Sequence, residues 1–121
     1  MATSLNIEPR RGEIWDVNFD PTVGAEIQRE RPALVVSSDA VRKLPLRLVA
    51  PVTSWKDGYR DLFWHVRIDP DSTNGLTKTS SIDAFQLRSM SLDRFARKRG
   101  WVKASTMAEI AAAIAAIVEY Q

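Results

Sequence analysis

The first periodic pattern in the chain follows a stretch of about ten residues that shows none. Over residues 13–19, large apolar side chains recur at a spacing of two, which is typical of a strand with one buried face. The dipeptide Asp20-Pro21 ends this pattern, because proline lacks the N–H that a sheet ladder needs and favours a turn. We therefore predict a loose arm over residues 1–10 and a half-buried strand after it.

Short apolar runs bounded by proline or polar residues predict further strands. These runs lie at residues 33–37, 46–52, 62–68 and 81–87. Pro51 falls inside one of them and is expected at a strand edge or a bulge. The polar segment 22–30, which joins the first two predicted strands, is long for a hairpin loop, and this favours a functional element.

The C-terminal segment has a helical pattern. Thr106 and Glu109 stand in the capping-box arrangement that begins many helices. The apolar residues that follow at helical spacing are Ile110, Ala111, Ile114, Ile117 and Val118. We predict one helix over residues 106–119 that packs its apolar stripe on the sheet. Short strands with one terminal helix indicate a mainly β, α+β fold in the form of a small barrel or strongly coiled sheet.

Composition narrows the class of protein. The chain has 121 residues, which suits one domain over residues 1–121. It contains no cysteine and a single histidine, His65, so we expect no disulfide framework, metal site or cofactor. Residues 1–11 lack the apolar core of a signal peptide, and the alanine-rich C-terminal stretch is too short to span a bilayer. We expect a soluble cytoplasmic protein without a membrane role.

The basic residues are unevenly distributed, although the net charge is only +2. Residues 94–103 include five cations and no acid. A run of this kind is suited to follow a phosphate backbone, and the alternative is a solvated basic turn.

Pairing of two predicted strands brings candidate chemistry together. If residues 33–37 and 46–52 form an antiparallel pair, Arg31 lies near Val52 and Thr53, beside segment 22–30. A guanidinium fork next to a hydroxyl donor is suited to bind a phosphate. The alternatives are a surface ion pair for Arg31 and an ordinary strand hydroxyl for Thr53.

Several ordered segments resemble the MazF/PemK/Kid family of ribonuclease toxins. From Arg11 to the C-terminal helix, the segments that carry the resemblance are Arg11-Gly-Glu-Ile-Trp15, Asp20-Pro-Thr-Val-Gly24, Glu26, Arg31-Pro32, Pro51-Val-Thr53, Gly75-Leu-Thr-Lys78, Ser81 and Gln86. The resemblance implies a small Src-homology-3-like barrel of the CcdB/PemK type with a C-terminal helix. It also implies a two-fold homodimer whose positively charged groove takes single-stranded RNA.

The resemblance further implies a toxin–antitoxin pair. The cognate antitoxin would lay a partly disordered acidic tail across the basic groove, and we expect this tail to displace segment 22–30. The implied activity is that of a sequence-specific, metal-independent endoribonuclease, an mRNA interferase. By position, Arg31 and Thr53 correspond to the family's main catalytic residues. In the implied reaction the ribose 2′-hydroxyl attacks the adjacent phosphorus, which leaves a cyclic phosphate and a 5′-hydroxyl.

The general base is a separate question, since arginine holds its proton at neutral pH. His65 lies within an alternating strand, which favours a structural role for it, and Asp83 and Glu26 are the alternative carboxylates. Some relatives have an arginine and an aspartate where this chain has Asp83 and Phe85. This departure leaves their acid and base roles without a counterpart here.

Polar, cationic and aromatic residues on these segments are candidate RNA contacts, because cations follow the backbone and aromatic rings stack on bases. The candidates are Gln28, Arg29, Ser54, Trp55, Lys56, Asp83 and Gln86. For Trp55 the alternative is a place in the core or in an interface. Two other functions suit the same fold: a topoisomerase-poisoning toxin like CcdB, which has an aromatic residue near its end as Tyr120 is here, or an inert barrel that binds nucleic acid.

Overall fold

The computed structural model describes residues 7–120, which form a seven-stranded antiparallel sheet and a C-terminal helix. The strands are β1 Glu13–Asn18, β2 Glu30–Val35, β3 Leu46–Ser54, β4 His65–Ile68, β5 Ser80–Asp83, β6 Arg88–Ser91 and β7 Phe95–Trp101, and the helix is α1 Ala104–Ile117. The strand order is β4-β5-β3-β2-β1-β7, with β6 paired to β3. The predicted mainly β fold with a terminal helix is confirmed.

β3 organises the sheet because it pairs with three strands. It pairs with β2 along one side, and along the other it pairs first with β6 and then with β5. The ladder to β6 ends at Val49 and the ladder to β5 begins at Val52, so Pro51 lies at a break between ladders rather than at an outer edge. This change of partner coils the sheet into a small barrel.

The core consists of two apolar clusters on opposite faces of β1. Ile14 packs in the cluster beneath α1, together with Ile82 and Ile110, whereas the neighbouring Trp15 packs in the other with Phe95. The prediction of a half-buried first strand was wrong, because both faces of β1 are covered. Among residues 7–120, no helix is long and apolar enough to cross a membrane.

Two predicted strands are shorter in the structure. β4 begins at His65, because residues 57–64 make turns in which the Leu62 amide donates to the Tyr59 carbonyl at 2.9 Å. β5 ends at Asp83, whose side chain accepts the Phe85 amide and caps a 3-10 turn, Ala84–Gln86. β6 and β7 were not predicted, and β7 occupies most of the basic run, so the alternative of a basic turn was wrong.

The helix also differs from its prediction. It begins at Ala104 after Lys103, which makes no side-chain cap, so the predicted capping box does not form. The earlier start follows from the end of β7, where the Val102 amide donates to the Gly12 carbonyl at 2.9 Å and leaves the chain to turn directly into α1. The buried residues of the helix are Met107, Ile110 and Ala113, while Ala111 and Val118 are exposed.

The predicted loose arm is only partly described. Residues 1–6 lie outside the described part of the chain. Residues 7–10 pack on the sheet: Pro9 is buried, and its carbonyl accepts the buried Arg47 Nε at 2.8 Å. The prediction of a loose arm was therefore wrong for residues 7–10.

Candidate active site

Arg31 and Thr53 are brought together by the pairing of β2 with β3. Ala33 pairs with Pro51, and continuing this register by two residues places Arg31 opposite Thr53. Both residues line a groove of about 290 Å³ at this end of the strands, which we call the Arg31–Thr53 groove. Its lining residues are Glu30, Arg31, Pro32, Val52, Thr53, Ser54, Leu76, Thr77, Lys78, Ser80 and Arg99. The predicted proximity of Arg31 to Val52 and Thr53 is confirmed.

The groove is rich in positive charge. Arg31, Lys78 and Arg99 line it, and Glu30 is the one acid among the lining residues. Arg31 donates from Nε to the Gln28 carbonyl at 2.9 Å. Its two terminal nitrogens make no hydrogen bond within residues 7–120, so they are available to an anion.

Arg99 is anchored more firmly than Arg31. Its Nε donates to Asp16 Oδ1 at 2.5 Å and a terminal nitrogen donates to the Gly75 carbonyl at 3.2 Å. Asp16 is buried and also accepts Arg97 Nε at 3.0 Å. Much of the charge of Arg99 is thus balanced by Asp16, whereas Lys78 makes no ion pair within the described residues.

Lys78 and Arg99 were not predicted as site residues. Lys78 reaches the groove because the segment before it packs against β7 at Gly100. A Cβ on Gly100 would lie 1.9 Å from the Thr73 carbonyl oxygen, which is too close for any other residue. The sequence does hold a hint of each residue. Lys78 ends a segment that resembles the toxin family, and Arg99 belongs to the basic run. Neither hint shows that Lys78 and Arg99 line the same groove.

Gln28 and Arg29 lie at the end of the β1–β2 loop, residues 19–29, directly before β2. The base of this loop is closed where the Phe19 amide donates to the Arg29 carbonyl at 3.0 Å and the Arg29 amide donates to Asp20 Oδ1 at 2.9 Å. Arg29 has a φ of 73°, in the left-handed region. Both side chains are exposed, so they are accessible to RNA.

The candidates that follow Thr53 differ from one another. Ser54 lines the Arg31–Thr53 groove, and Lys56 is exposed beyond it. Trp55 is half-buried: its ring packs edge-on against Tyr59 at 5.7 Å, and the Arg67 guanidinium lies 5.7 Å from its centroid. This packing supports the interpretation of Trp55 as a structural residue. The part of its side chain that is not covered remains accessible to a ligand.

Asp83 and Gln86 are not brought into the Arg31–Thr53 groove. Asp83 is 5% exposed, and its carboxylate accepts the Phe85 amide at 3.0 Å. Gln86 lines a second groove, of about 560 Å³, together with Phe19, Ala25, Glu26, Ile27, Pro51, Phe85, Leu87 and Arg88. Burial favours a structural role for Asp83.

None of the three candidate bases lines the Arg31–Thr53 groove. Glu26 accepts the Val23 amide at 2.7 Å within the β1–β2 loop. His65 stacks on Tyr59 at 3.6 Å between ring centroids, and its Nδ1 is 2.9 Å from Ser81 Oγ. Burial lowers the pKa of His65, and the nearby charge of Asp83 offsets part of this effect. These contacts support the structural role predicted for His65.

The basic run has partners that its own sequence does not include. Lys98 donates to Glu13 at 2.9 Å, and Arg97 and Arg99 share Asp16. Three of its cations therefore neutralise acids of β1. Within residues 7–120, no three histidine, aspartate or glutamate side chains converge in a way that suits a metal ion.

Comparison with known proteins gives consistent relatives. MazF9 of Mycobacterium tuberculosis, an endoribonuclease, is 36% identical over 107 residues, which are 84% of this chain and 88% of that protein. The endoribonuclease PemK of Escherichia coli is 43% identical over 60 residues, 49% of this chain and 45% of that protein. The crystal structure of MazF from Deinococcus radiodurans superposes with a TM-score of 0.79 at 28% identity, covering 94% of this chain and 99% of that one.

The family assignment rests on most of the chain. A model of the PemK-like, MazF-like toxins of type II toxin–antitoxin systems matches residues 10–118, a span that includes all strands, the helix and the Arg31–Thr53 groove. The chain therefore belongs to the PemK-like, MazF-like toxin family of type II toxin–antitoxin systems.

Proposed function

We propose that this chain is a cytoplasmic endoribonuclease toxin that cuts single-stranded RNA in the Arg31–Thr53 groove without a metal ion. The observation that carries the proposal is that a guanidinium and a hydroxyl lie on adjacent strands and line one groove, to which Arg31 and Lys78 give positive charge. The endoribonuclease MazF9, which is 36% identical over 84% of this chain, supports the same activity. Membership of the PemK-like, MazF-like family favours RNA cleavage over topoisomerase poisoning.

The chemistry follows from where charge develops. The ribose 2′-oxygen forms a bond to phosphorus and loses its proton to a base, while the bond from phosphorus to the 5′-oxygen breaks and that oxygen gains a proton. Between bond formation and bond breaking, phosphorus is five-coordinate, and the oxygens of this phosphorane carry increased negative charge. The terminal nitrogens of Arg31 donate to these oxygens, and one preorganised donor of this kind lowers the barrier by about 3–4 kcal/mol. Thr53 supplies a second donor.

The experiment is cleavage of a long single-stranded RNA in excess EDTA, with the fragment ends mapped. Arg31→Ala is compared with Arg42→Ala, a matched change at an exposed arginine in the connection at the opposite end of β2 and β3. We expect cyclic phosphate and 5′-hydroxyl ends at a short recurring motif, with activity reduced at least about 10²-fold by Arg31→Ala alone. Intact RNA, or equal loss in both variants, contradicts the proposal.

We infer that the partner of this toxin is an antitoxin with an acidic segment that lies over the cationic groove. The family is defined by toxin–antitoxin systems, and a MazE–MazF complex from Deinococcus radiodurans superposes with a TM-score of 0.74 at 26% identity, over 95% of this chain and all (100%) of that one. We expect the tail to displace the β1–β2 loop. Unchanged hydrogen exchange in residues 19–29 on antitoxin binding contradicts this displacement.

We further propose a two-fold homodimer. An apolar groove between β3 and α1 supports it, since exposed Leu48, Val118 and Tyr120 lie beside partly buried Ile114 there. A second copy that covers this groove removes apolar surface from water. Sedimentation of the wild type as a dimer and of Leu48→Glu as a folded monomer is the expected result, and a monomeric wild type contradicts it.

A further inference from the structure

The side chain of Gln86 joins two parts of the chain that are far apart in sequence. Its Oε1 accepts the Ile27 amide at 2.7 Å, and its Nε2 donates to the Ala25 carbonyl at 3.4 Å. The amide group thus satisfies one donor and one acceptor of the β1–β2 loop. A single side chain fixes the middle of this loop to the 3-10 turn Ala84–Gln86.

The turn that presents Gln86 is itself held firmly. The carboxylate of Asp83 accepts the Phe85 amide at 3.0 Å, and the Ala84 amide donates to the Trp64 carbonyl at 2.8 Å. Asp83 and Ala84 are both buried. Gln86 is therefore a fixed point on the sheet, to which the more exposed loop is attached.

The link from Gln86 to the loop extends along the chain to Arg31, the candidate catalytic residue. Ile27 is followed by Gln28, whose carbonyl accepts Arg31 Nε at 2.9 Å. Arg88 and Arg94 bind carbonyls at the base of the loop, and Val23 and Glu26 bind each other within it. Asp20 Oδ1 accepts the Arg29 amide, which belongs to the same planar peptide group as the Gln28 carbonyl. Asp20 thus holds this peptide group from one side, and Gln86 holds it from the other through Ile27, so the orientation of the Arg31 guanidinium depends on both.

We propose that Gln86 is a positioning residue for Arg31, acting through Ile27 and the Gln28 carbonyl. This inference rests on the proposed function, because it assigns Gln86 a part in RNA cleavage. Gln86 lines the second groove and not the Arg31–Thr53 groove, which separates its role from that of a residue touching the scissile phosphate. A catalytic donor displaced by about 1 Å loses up to roughly a hundred-fold in rate, so a mobile loop is enough to impair cleavage.

The test compares Gln86→Leu with Gln86→Glu. Leucine has a similar size and no polar atom, whereas glutamate keeps an acceptor for the Ile27 amide. Ser89→Ala, an exposed change on β6, serves as the control. Three quantities are measured for each protein: hydrogen exchange of the Ile27 amide, the ¹⁵N-resolved Arg31 Nε–H signal and its exchange rate, and kcat and KM for RNA cleavage in EDTA.

We expect Gln86→Leu to accelerate exchange at Ile27 and at Arg31 Nε–H and to lower kcat by roughly ten- to a hundred-fold with little change in KM. Gln86→Glu should restore both exchange rates and most of kcat, although its added charge will raise KM. If Gln86→Leu, which adds no charge, raises KM alone and leaves both exchange rates unchanged, Gln86 is a direct RNA contact and the proposal is overturned. Fast Ile27 exchange with an unchanged Arg31 signal also overturns it.

A wrong proposed function and a wrong role for Gln86 give different experimental results. If the wild type leaves RNA intact, that function is wrong, and the Arg31 Nε–H signal still decides whether Gln86 orients the guanidinium. Thermal unfolding of each variant shows whether an effect arises from loss of the fold. Such a loss in Gln86→Leu without one in Gln86→Glu assigns the side chain to stability and contradicts a positioning role.

Discussion

Thr53 offers the groove a single hydroxyl, held on β3 opposite Arg31. If the hydroxyl donates to the phosphorane, its removal costs rate while its retention on a smaller side chain does not. We expect Thr53→Val, which keeps the shape, to lower kcat about 10²-fold, and Thr53→Ser to stay within a few-fold of the wild type. The measurement is single-turnover cleavage of RNA in EDTA.

Equal rates for Thr53→Val and the wild type contradict a donor role and leave Thr53 as an ordinary strand residue. A loss in Thr53→Ser as large as that in Thr53→Val shows that the methyl group matters, which indicates packing instead. Both variants keep the β-sheet pairing of β3, so a cooperative unfolding transition serves as the control for each.

His65 affects stability through its protonation. Because burial lowers its pKa below the ordinary value of 6.5, with the charge of Asp83 opposing part of the shift, the unfolded chain takes up a proton at a higher pH than the folded protein does. The free energy of unfolding therefore falls as pH drops below about 6.5, and above that value His65 adds no slope. The effect belongs to folding and not to cleavage.

The test is urea unfolding of the wild type and His65→Gln between pH 8 and pH 5.5. We expect the wild type to lose more stability over this range than the variant, and His65→Gln to retain RNA cleavage. Parallel profiles contradict a pKa shift at His65. Loss of cleavage in a folded His65→Gln protein shows that the histidine has a catalytic part after all.

Among the secondary-structure elements, β7 and the segment before Lys78 are joined by close backbone contact. A Cβ on Gly100 would lie 1.9 Å from the Thr73 carbonyl oxygen, whereas a Cβ on Gly58 would have no atom within 4 Å. Gly100→Ala is expected to lower the free energy of unfolding by about 1–3 kcal/mol, and Gly58→Ala to change it little. Urea unfolding of the two variants gives the comparison.

The same contact positions Lys78 at the groove, so Gly100→Ala should also raise KM for RNA. A stability loss in Gly58→Ala equal to that in Gly100→Ala would attribute the effect to chain flexibility. In that case the close approach of β7 to Thr73 has no energetic role.

Local patterns predicted the elements whose apolar residues are contiguous or recur at a regular spacing. The pairing of β2 with β3 could be foreseen because two apolar runs flank one connection, and this pairing by itself places Arg31 near Thr53. β6 and β7 could not be foreseen, since their few apolar residues are separated by charged or polar ones. Those charges are balanced by partners far away in sequence, such as Asp16 for Arg97.

The site was predictable to the same extent as the sheet. Arg31 and Thr53 follow from one strand pair, and the resemblance to a known family selected the same two residues. Lys78 and Arg99 required the packing of a loop against β7, which is set by Gly75 and Gly100 and leaves no periodic signal. Gln86 was selected as an RNA contact, yet its amide is bound to the β1–β2 loop.

At the scale of the whole molecule, the net charge of +2 is too small to explain attraction to RNA. Within residues 7–120, three cations of β7 are neutralised by acids of β1: Lys98 by Glu13, and Arg97 and Arg99 by Asp16. The attraction must come from cations that lack such partners within residues 7–120, and Lys78 is one of these in the Arg31–Thr53 groove. RNA binding should therefore depend on a small number of charges and respond measurably to the loss of one.

Lys78→Gln removes one of these charges, so its effect on RNA binding can be stated as a number. Each phosphate that a cation neutralises on a single strand contributes a slope of about 0.7 to the decrease of log K with log salt. Lys78→Gln should reduce the slope by about that amount, and Lys43→Gln, at an exposed lysine in the β2–β3 connection, should leave it unchanged.

Fluorescence anisotropy with a fully 2′-O-methylated RNA, which lacks the attacking hydroxyl, measures binding without cleavage. An unchanged slope in Lys78→Gln places the RNA backbone away from this wall of the groove, whereas equal reductions in both variants indicate diffuse attraction to the whole surface.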